Sequence, residues 1–182
     1  MRTRETHFNV VDINYKAFET MEDAVKKANA LKRFLEYTCK SRGYSCIAVI
    51  GVSSSNIHDG RVVACKYGRK EFKANEEGYV NEVTPHIHIT LISNPSRSLA
   101  IELEEHINKK YSQKVTWRKK CDEYACERIE YCIKQSVKLR TVFCDKDSVL
   151  RPVANDFIES AESCYYEQGN KRKLFSVPLK AC

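Results

Sequence analysis

The sequence feature that most constrains the fold is the segment 85–95, which reads Pro-His-Ile-His-Ile-Thr-Leu-Ile-Ser-Asn-Pro. Its apolar and β-branched residues, bounded by prolines, predict a β-strand. Side chains alternate between the two faces of a strand at about 3.3 Å per residue, so His86 and His88 are expected on one face, roughly 6.6 Å apart. Ile87 and Ile89 then face a core. Two imidazoles on a rigid strand can bind one metal ion, but the pattern also fits two solvent-facing or hydrogen-bonded histidines.

Composition places the chain among ordinary globular proteins. Its 182 residues suit one domain with an additional terminal segment, and 42% of them are hydrophobic and 30% charged. The formal net charge of +7 is compatible with a polyanionic partner such as nucleic acid. No apolar run approaches the roughly 20 residues of a transmembrane helix, so no membrane partner is expected.

The nine cysteines favour reduced thiols in the cytoplasm. Their number is odd, and no signal peptide is apparent at the start of the sequence. Cys121, Cys126 and Cys132 lie close together in the sequence, but the chain has no Cys-x-x-Cys pair. We therefore interpret these three as small core or helix residues and not as zinc ligands.

Local patterns predict an α+β fold in which one antiparallel sheet carries helices mainly on one face. The other face would be free to carry the histidines. Residues 1–150 are expected to form the main domain, and residues 151–182 a C-terminal helix and basic tail that pack on it or extend it. Besides the histidine strand, the predicted elements are strands His7–Asn14, Ser45–Ser53, Arg61–Phe72 and Val115–Trp117, and helices Thr20–Arg42, one through Leu99, Leu103, Ile107 and Tyr111, Asp122–Thr141 and Val153–Cys164.

The helix predicted over residues 122–141 has an apolar stripe and a polar face. Tyr131 lies roughly 200° from both Ile129 and Ile133 at 100° per residue, so it points away from the stripe. A solvated charged face with partly packed tyrosines is the simpler interpretation of the polar side. The stripe consists of Ala125, Ile129, Ile133 and Val137, and the residues within about 60° of Tyr131 are Tyr124, Arg128, Lys134, Gln135 and Lys138.

Together, the strand and the helix resemble a known family. A His-hydrophobic-His strand followed by a helix with Tyr-x-x-Lys is similar to the HUH endonucleases, which include the relaxases and the rolling-circle replication initiators of plasmids and small viruses. The matching residues here are His86-Ile-His88 and Tyr131-Cys-Ile-Lys134, and Asn94-Pro95 also resembles plasmid initiators. The resemblance implies a ferredoxin-like or RRM-like sheet, a divalent metal (Mn²⁺ or Mg²⁺), and site-specific nicking of single-stranded DNA.

The resemblance also implies roles for individual residues. Tyr131 would attack the scissile phosphate, and Lys134, one helical turn away, would favour the phenolate or neutralise a phosphate oxygen. His86 and His88 would hold the metal, which polarises the phosphate. Attack would link the DNA through its 5′ end to Tyr131 and free a 3′-OH that primes synthesis.

Two positions in this scheme are open. The family usually has a third metal ligand, for which His58, in a loop after the central strand, is the first candidate and Glu82 the second. Some family members use two tyrosines. Tyr124 lies two turns before Tyr131, but no lysine follows it at the same spacing. We interpret Tyr124 as a packing or DNA-contact residue.

Basic residues around Tyr111 and Trp117 have the composition of a groove for single-stranded nucleic acid. A solvated basic edge with Trp117 in the core fits equally well. The expected partner is single-stranded or hairpin DNA at a replication origin, with host helicase and polymerase as further partners. The expected DNA-contacting residues are Arg128, Lys138, Lys114, Trp117, Arg118 and Lys119.

Other functions fit the motifs less well. His88-Ile-Thr90-Leu matches the motif of the 2H phosphoesterases, but that family needs the motif twice and no second copy is present. Histidine-triad hydrolases need a third alternate histidine where Thr90 stands. A relaxase for conjugative mobilisation and a non-catalytic RRM-like binder of nucleic acid remain as alternatives to the replication initiator.

Overall fold

A computed structural model describes residues 10–15, 18–55, 57–58, 61–62, 82–107, 115–118 and 123–175 of the protein. At residues 10–15, 54–55, 57–58, 61–62, 82–84, 96–97, 115–118, 123–127, 135 and 152 it describes the backbone alone. The elements in chain order are β1 (Val10–Tyr15), α1 (Met21–Arg42), β2 (Ser45–Ser55), β3 (Ile57–His58), β4 (Arg61–Val62), β5 (Glu82–Asn94), α2 (Ser96–Ile107), β6 (Val115–Arg118), α3 (Glu123–Gln135), β7 (Lys138–Cys144) and α4 (Arg151–Glu167).

Helix α1 has the ends that its sequence predicts. The Thr20 hydroxyl accepts a hydrogen bond from the backbone N–H of Asp23 at 3.1 Å, which satisfies a donor of the first turn. At the other end Gly43 adopts a left-handed conformation with φ of 69°, and its N–H donates to the Cys39 carbonyl. These local signals at both ends confirm the predicted helix from Thr20 to Arg42.

Five strands form one antiparallel sheet with the histidine strand at its centre. The strand order is β6-β1-β5-β2-β7, and every neighbouring pair is antiparallel. The chain order β1-α1-β2-β5-α2-β6 is compatible with a ferredoxin-like α+β fold. Strands β3 and β4 pair separately as a two-stranded ribbon. Of the strand predicted from Arg61 to Phe72, only Arg61–Val62 lies within the described residues.

Helices cover both faces of this sheet, so the prediction that they lie mainly on one face is wrong. Helices α1 and α2 pack over one face, against residues such as Ile89 and Ile50. Helices α3 and α4 pack over the other face, against Ile47, Val49 and Ile92. The physical reason lies in β2, whose continuous apolar run gives both of its faces side chains that must be shielded from water.

The chain leaves helix α3 earlier than predicted and forms a further strand. The predicted helix extended to Thr141, but α3 ends at Gln135, and residues 138–144 form β7 on the edge of the sheet. Val137, which was predicted to belong to the apolar stripe, is 61% exposed, and its N–H donates to the Val52 carbonyl at 2.8 Å. Pairing with β2 therefore overrides a helical periodicity that Val137 continues by coincidence.

Helix α4 and the chain after it pack on the same core. The α4 residues Phe157 and Ile158 are buried with Ile129 and Ile133 of α3. Both oxygens of the Glu162 carboxylate accept backbone hydrogen bonds, from Leu174 at 3.0 Å and from Phe175 at 2.9 Å. The described helices include none that is long and apolar enough to cross a bilayer.

Candidate functional site

The paired histidines lie in the middle of the central strand, on the face that α3 covers. Their ring centroids are 4.7 Å apart with the rings nearly perpendicular. His86 is 5% exposed and His88 7% exposed, so the face predicted to be free is shielded by helices. The alternation of the strand brings the two imidazoles together, and the tertiary structure removes them from bulk water.

Burial keeps His88 neutral. Its pKa is lowered to about 3, first because burial disfavours the charged imidazolium, and then because of the nearby charges of His86 and Arg128. Its Nε2 atom is buried and has no hydrogen-bond partner among the described residues. A neutral imidazole with an unused ring nitrogen is the form that binds a metal ion, and a buried polar atom without a partner is costly unless a ligand supplies one.

Tyr131 of α3 lies beside this pair. The centroid of its ring is 5.4 Å from that of His88, with an interplanar angle of 82°. The next residue, Cys132, places its Sγ 3.7 Å from the His88 carbonyl oxygen, so the helix and the strand meet at this point. Ile129 and Ile133 are fully buried, whereas Tyr131 is half-buried. The phenol ring is therefore next to the His88 imidazole and still partly open to solvent.

Gly51 permits the close approach of α3. It is the register partner of His88 on β2. A Cβ atom at this position would overlap the Ser136 Oγ and lie 2.9 Å from the Cys132 Sγ. Gly51 was not predicted to matter, although a glycine inside a strand often marks a site where another backbone comes close. That signal was present in the apolar run of β2.

The two cations near Tyr131 in the sequence have different surroundings. The guanidinium carbon of Arg128 lies 4.7 Å from the centroid of the Tyr131 ring, a cation–π contact. Lys134 instead places its Nζ 3.2 Å from a carboxylate oxygen of Glu130. This hydrogen bond is the main reason that the pKa of Lys134 is raised above its usual value. Arg128, predicted as a DNA contact, thus occupies the position beside the phenol that was predicted for Lys134.

For both candidates for the third metal ligand, the structure describes the backbone but not the side chain. His58 ends β3, a short strand that contacts α3, and Glu82 is the first residue of β5. Both side chains lie outside the described part of the structure. Among the described residues, no group of three histidine, cysteine, aspartate or glutamate side chains is arranged to hold a metal ion.

The predicted DNA contacts are distributed over several elements. Lys138 is exposed and begins β7, so its prediction as a helical residue is wrong. It is the register partner of Val52, which in turn pairs with Ile87 between the two histidines. Trp117 and Arg118 belong to the edge strand β6, and their side chains are not described. Lys114, Lys119 and Cys121 lie outside the described ranges. For Tyr124 and Cys126 the structure describes the backbone but not the side chain.

Comparison with known proteins returned no relatives. The sequence matches no protein-family model, and it has no significant match among curated proteins or solved structures. The function is therefore inferred from the residues of the site and their geometry.

Proposed function

We propose that this protein nicks single-stranded DNA at a specific sequence and transfers the strand through a 5′-phosphotyrosine on Tyr131, initiating rolling-circle replication of a plasmid or mobile element. One observation carries the proposal. The Tyr131 ring lies 5.4 Å from the His88 ring, which lies 4.7 Å from the His86 ring. The proposed nucleophile thus lies next to the His88 imidazole, which in turn contacts the His86 imidazole, and these residues have the strand and helix placement that the resemblance to HUH endonucleases implies.

Two further features support the proposal. The histidine strand is the central strand of an antiparallel sheet with a ferredoxin-like element order, and a ferredoxin-like or RRM-like sheet is what the HUH resemblance implies. The net charge of +7 favours binding to a polyanion.

His86 and His88 would hold a divalent metal, Mn²⁺ or Mg²⁺, with His58 or Glu82 as the candidate for a third ligand. The residues present fit this role because His88 is neutral at physiological pH and its buried Nε2 has no hydrogen-bond partner in the described part of the chain. When bound, such an ion would polarise the scissile phosphate and offset the charge that develops in the transition state.

The proposed reaction conserves the number of phosphodiester bonds. The hydroxyl oxygen of Tyr131 bonds to phosphorus, the bond from phosphorus to the 3′-oxygen breaks, and the phenolic proton is replaced overall by a proton on the new 3′-OH. The phosphotyrosine retains the energy of the broken bond. Attack by a 3′-OH on the phosphotyrosine reverses the step and rejoins a strand.

The test of the nucleophile uses a pool of random single-stranded oligonucleotides labelled at the 3′ end, incubated with the protein and Mn²⁺ or Mg²⁺. The DNA on the 3′ side of the nick carries the label and becomes attached to the protein. Tyr131→Phe should abolish the labelled adduct and leave DNA binding mostly intact. Tyr37→Phe is the matched control, since Tyr37 is exposed on α1, on the other face of the sheet.

Persistence of the adduct in Tyr131→Phe would reject the nucleophile assignment. Binding of DNA without any adduct in the wild-type protein would favour a non-catalytic nucleic-acid-binding module instead. His86→Ala should reduce nicking in the adduct assay. It should also reduce Mn²⁺ binding, which is measured separately by calorimetry. His106→Ala is its control, because His106 stacks on Phe34 away from the site.

A further inference from the structure

The cation that serves the Tyr131 site can be identified from the contacts of helix α3. Two cations flank the tyrosine at equal spacing, Arg128 three residues before it and Lys134 three residues after it. Helical periodicity alone gives them equivalent positions relative to the phenol. The resemblance to Tyr-x-x-Lys favours the lysine, whereas the tertiary contacts favour the arginine.

Arg128 is directed toward the site. Its guanidinium carbon lies 4.7 Å from the centroid of the Tyr131 ring, and Tyr131 in turn contacts His88. The side chain is half-buried, so its hydration is reduced. Its charge also acts on His88, whose pKa it helps to lower. The guanidinium is therefore within electrostatic reach of both the Tyr131 ring and the His88 imidazole.

Lys134 is directed toward carboxylates. Its Nζ is 3.2 Å from Glu130, and Glu167 of α4 adds a second negative charge nearby. Glu130 and Glu167 both line a cleft between α3 and α4. The charge of Lys134 is thus offset by acidic side chains, which would repel a phosphate.

We propose that Arg128, and not Lys134, is the catalytic cation that binds the scissile phosphate beside Tyr131. This assignment rests on the nicking function proposed above. The planar guanidinium presents donors that match two phosphate oxygens at once. While the tyrosine oxygen bonds to phosphorus and the 3′-oxygen leaves with a proton, Arg128 neutralises the charge on the two non-bridging oxygens and takes no part in proton transfer.

The experiment compares adduct formation in matched variants, using the oligonucleotide that the wild-type protein selects from the random pool. Removal of a preorganised donor to a transition-state oxyanion typically costs about 10²–10³ in rate. We therefore expect Arg128→Gln to slow adduct formation by about 100-fold and Arg128→Lys to recover part of that loss. Lys134→Gln should lose less than about tenfold, below the range for a lost oxyanion donor. Lys40→Gln, at an exposed residue of α1, is the control for loss of one positive charge.

A methylphosphonate at the mapped nicking position separates a phosphate contact from a structural effect. This linkage replaces one non-bridging oxygen with a methyl group and is uncharged before attack, so Arg128 has one oxygen fewer to contact and less negative charge to neutralise. The ratio of the wild-type rate to the Arg128→Gln rate should fall toward one on this substrate. A purely structural defect would leave the ratio unchanged. Thermal unfolding of each variant checks that its fold is intact.

The outcomes for the assignment and for the proposed function are distinct. If the wild-type protein forms no adduct with any member of the pool, the nicking function is wrong and the Arg128 assignment falls with it. If the wild type forms the adduct but Lys134→Gln loses more activity than Arg128→Gln, only the Arg128 assignment is overturned. A ratio unchanged by the methylphosphonate overturns it as well.

Discussion

Gly51 lies directly opposite His88 in the β2–β5 pair, at the point where α3 touches the sheet. The absence of a side chain at Gly51 allows Cys132 and Ser136 to reach the strand, and this contact holds Tyr131 against the His88 ring. The distance between the phenol and the imidazoles is therefore set by a residue that belongs to neither group.

Gly51→Ala should destabilise the protein and separate the two halves of the site. The new methyl group would overlap the Ser136 Oγ and would also lie 2.9 Å from the Cys132 Sγ and 3.0 Å from the Ser136 Cβ. Rotation of the Ser136 hydroxyl alone does not relieve these contacts, so we expect the end of α3 to move away from β2. Overpacking of this kind typically costs about 1–3 kcal/mol. Urea denaturation measures the loss of stability, and the adduct assay measures the loss of activity.

Gly43→Ala is the matched control for that substitution. It introduces the same methyl group at a left-handed position, φ 69°, where no described atom outside the neighbouring residues lies within 4 Å. It should cost about 1–2 kcal/mol through backbone strain. Adduct formation should persist in Gly43→Ala, because α1 ends away from the histidines. Equal activity losses in the two variants would contradict the role given to Gly51.

The lowered pKa of His88 predicts that the stability of the protein depends on pH. Its pKa is about 3 in the folded protein, below the ordinary value of 6.5 for histidine. Between these values the unfolded chain binds a proton that the folded chain does not, so stability falls as the pH decreases from about 6.5 toward 3. The contribution from pH 7 to pH 5 is about 2 kcal/mol.

The measurement is urea unfolding at pH 7 and pH 5 in the presence of a chelator. Other groups also titrate in this interval, so the wild-type difference is compared with that of His88→Gln, which cannot take up a proton here. The wild type should lose about 2 kcal/mol more than the variant. Parallel pH profiles for the two proteins would show that His88 is not a buried neutral imidazole.

The point at which α3 ends can be tested by truncating two apolar residues predicted to lie on one stripe. Ile133 is fully buried between α3 and the sheet, whereas Val137 is 61% exposed beyond the helix. Ile133→Ala should cost about 2–5 kcal/mol, because it leaves a cavity. Val137→Ala should stay within about 0.5 kcal/mol, as for most surface positions. A large loss for Val137→Ala, measured by urea denaturation, would contradict the position of β7.

The chain after α4 contributes Phe175 to the core. Phe175 is 1% exposed, and its N–H donates to Glu162. Phe175→Ala should therefore cost about 3–5 kcal/mol. Tyr37→Ala, at an aromatic residue that is 72% exposed, should change stability by about 0.5 kcal/mol or less. Similar unfolding midpoints for the two variants would show that the C-terminal segment does not pack on the domain.

Elements with strong local signals were predicted well from the sequence. Helix α1 has a capping threonine and a terminal glycine, and both act within the turn that contains them. The apolar run of β2 predicted a strand buried on both faces, and the structure confirms it. Strand β7 was missed because Val137 continues the helical spacing of Ile129 and Ile133, while the strand that pairs with β7 lies far earlier in the chain.

The sequence alone determined which side chains share an element: alternation along β5 puts His86 and His88 on one face, and the helical pattern puts Tyr131 between Arg128 and Lys134 on α3. Only the tertiary structure decided that α3 and α4 cover the histidine face, that Gly51 sets the distance between helix and strand, and that Arg128 contacts the tyrosine ring. The reason is physical. Periodicity is a property of neighbouring residues, whereas packing depends on atoms that are distant in the chain and meet only when the sheet forms.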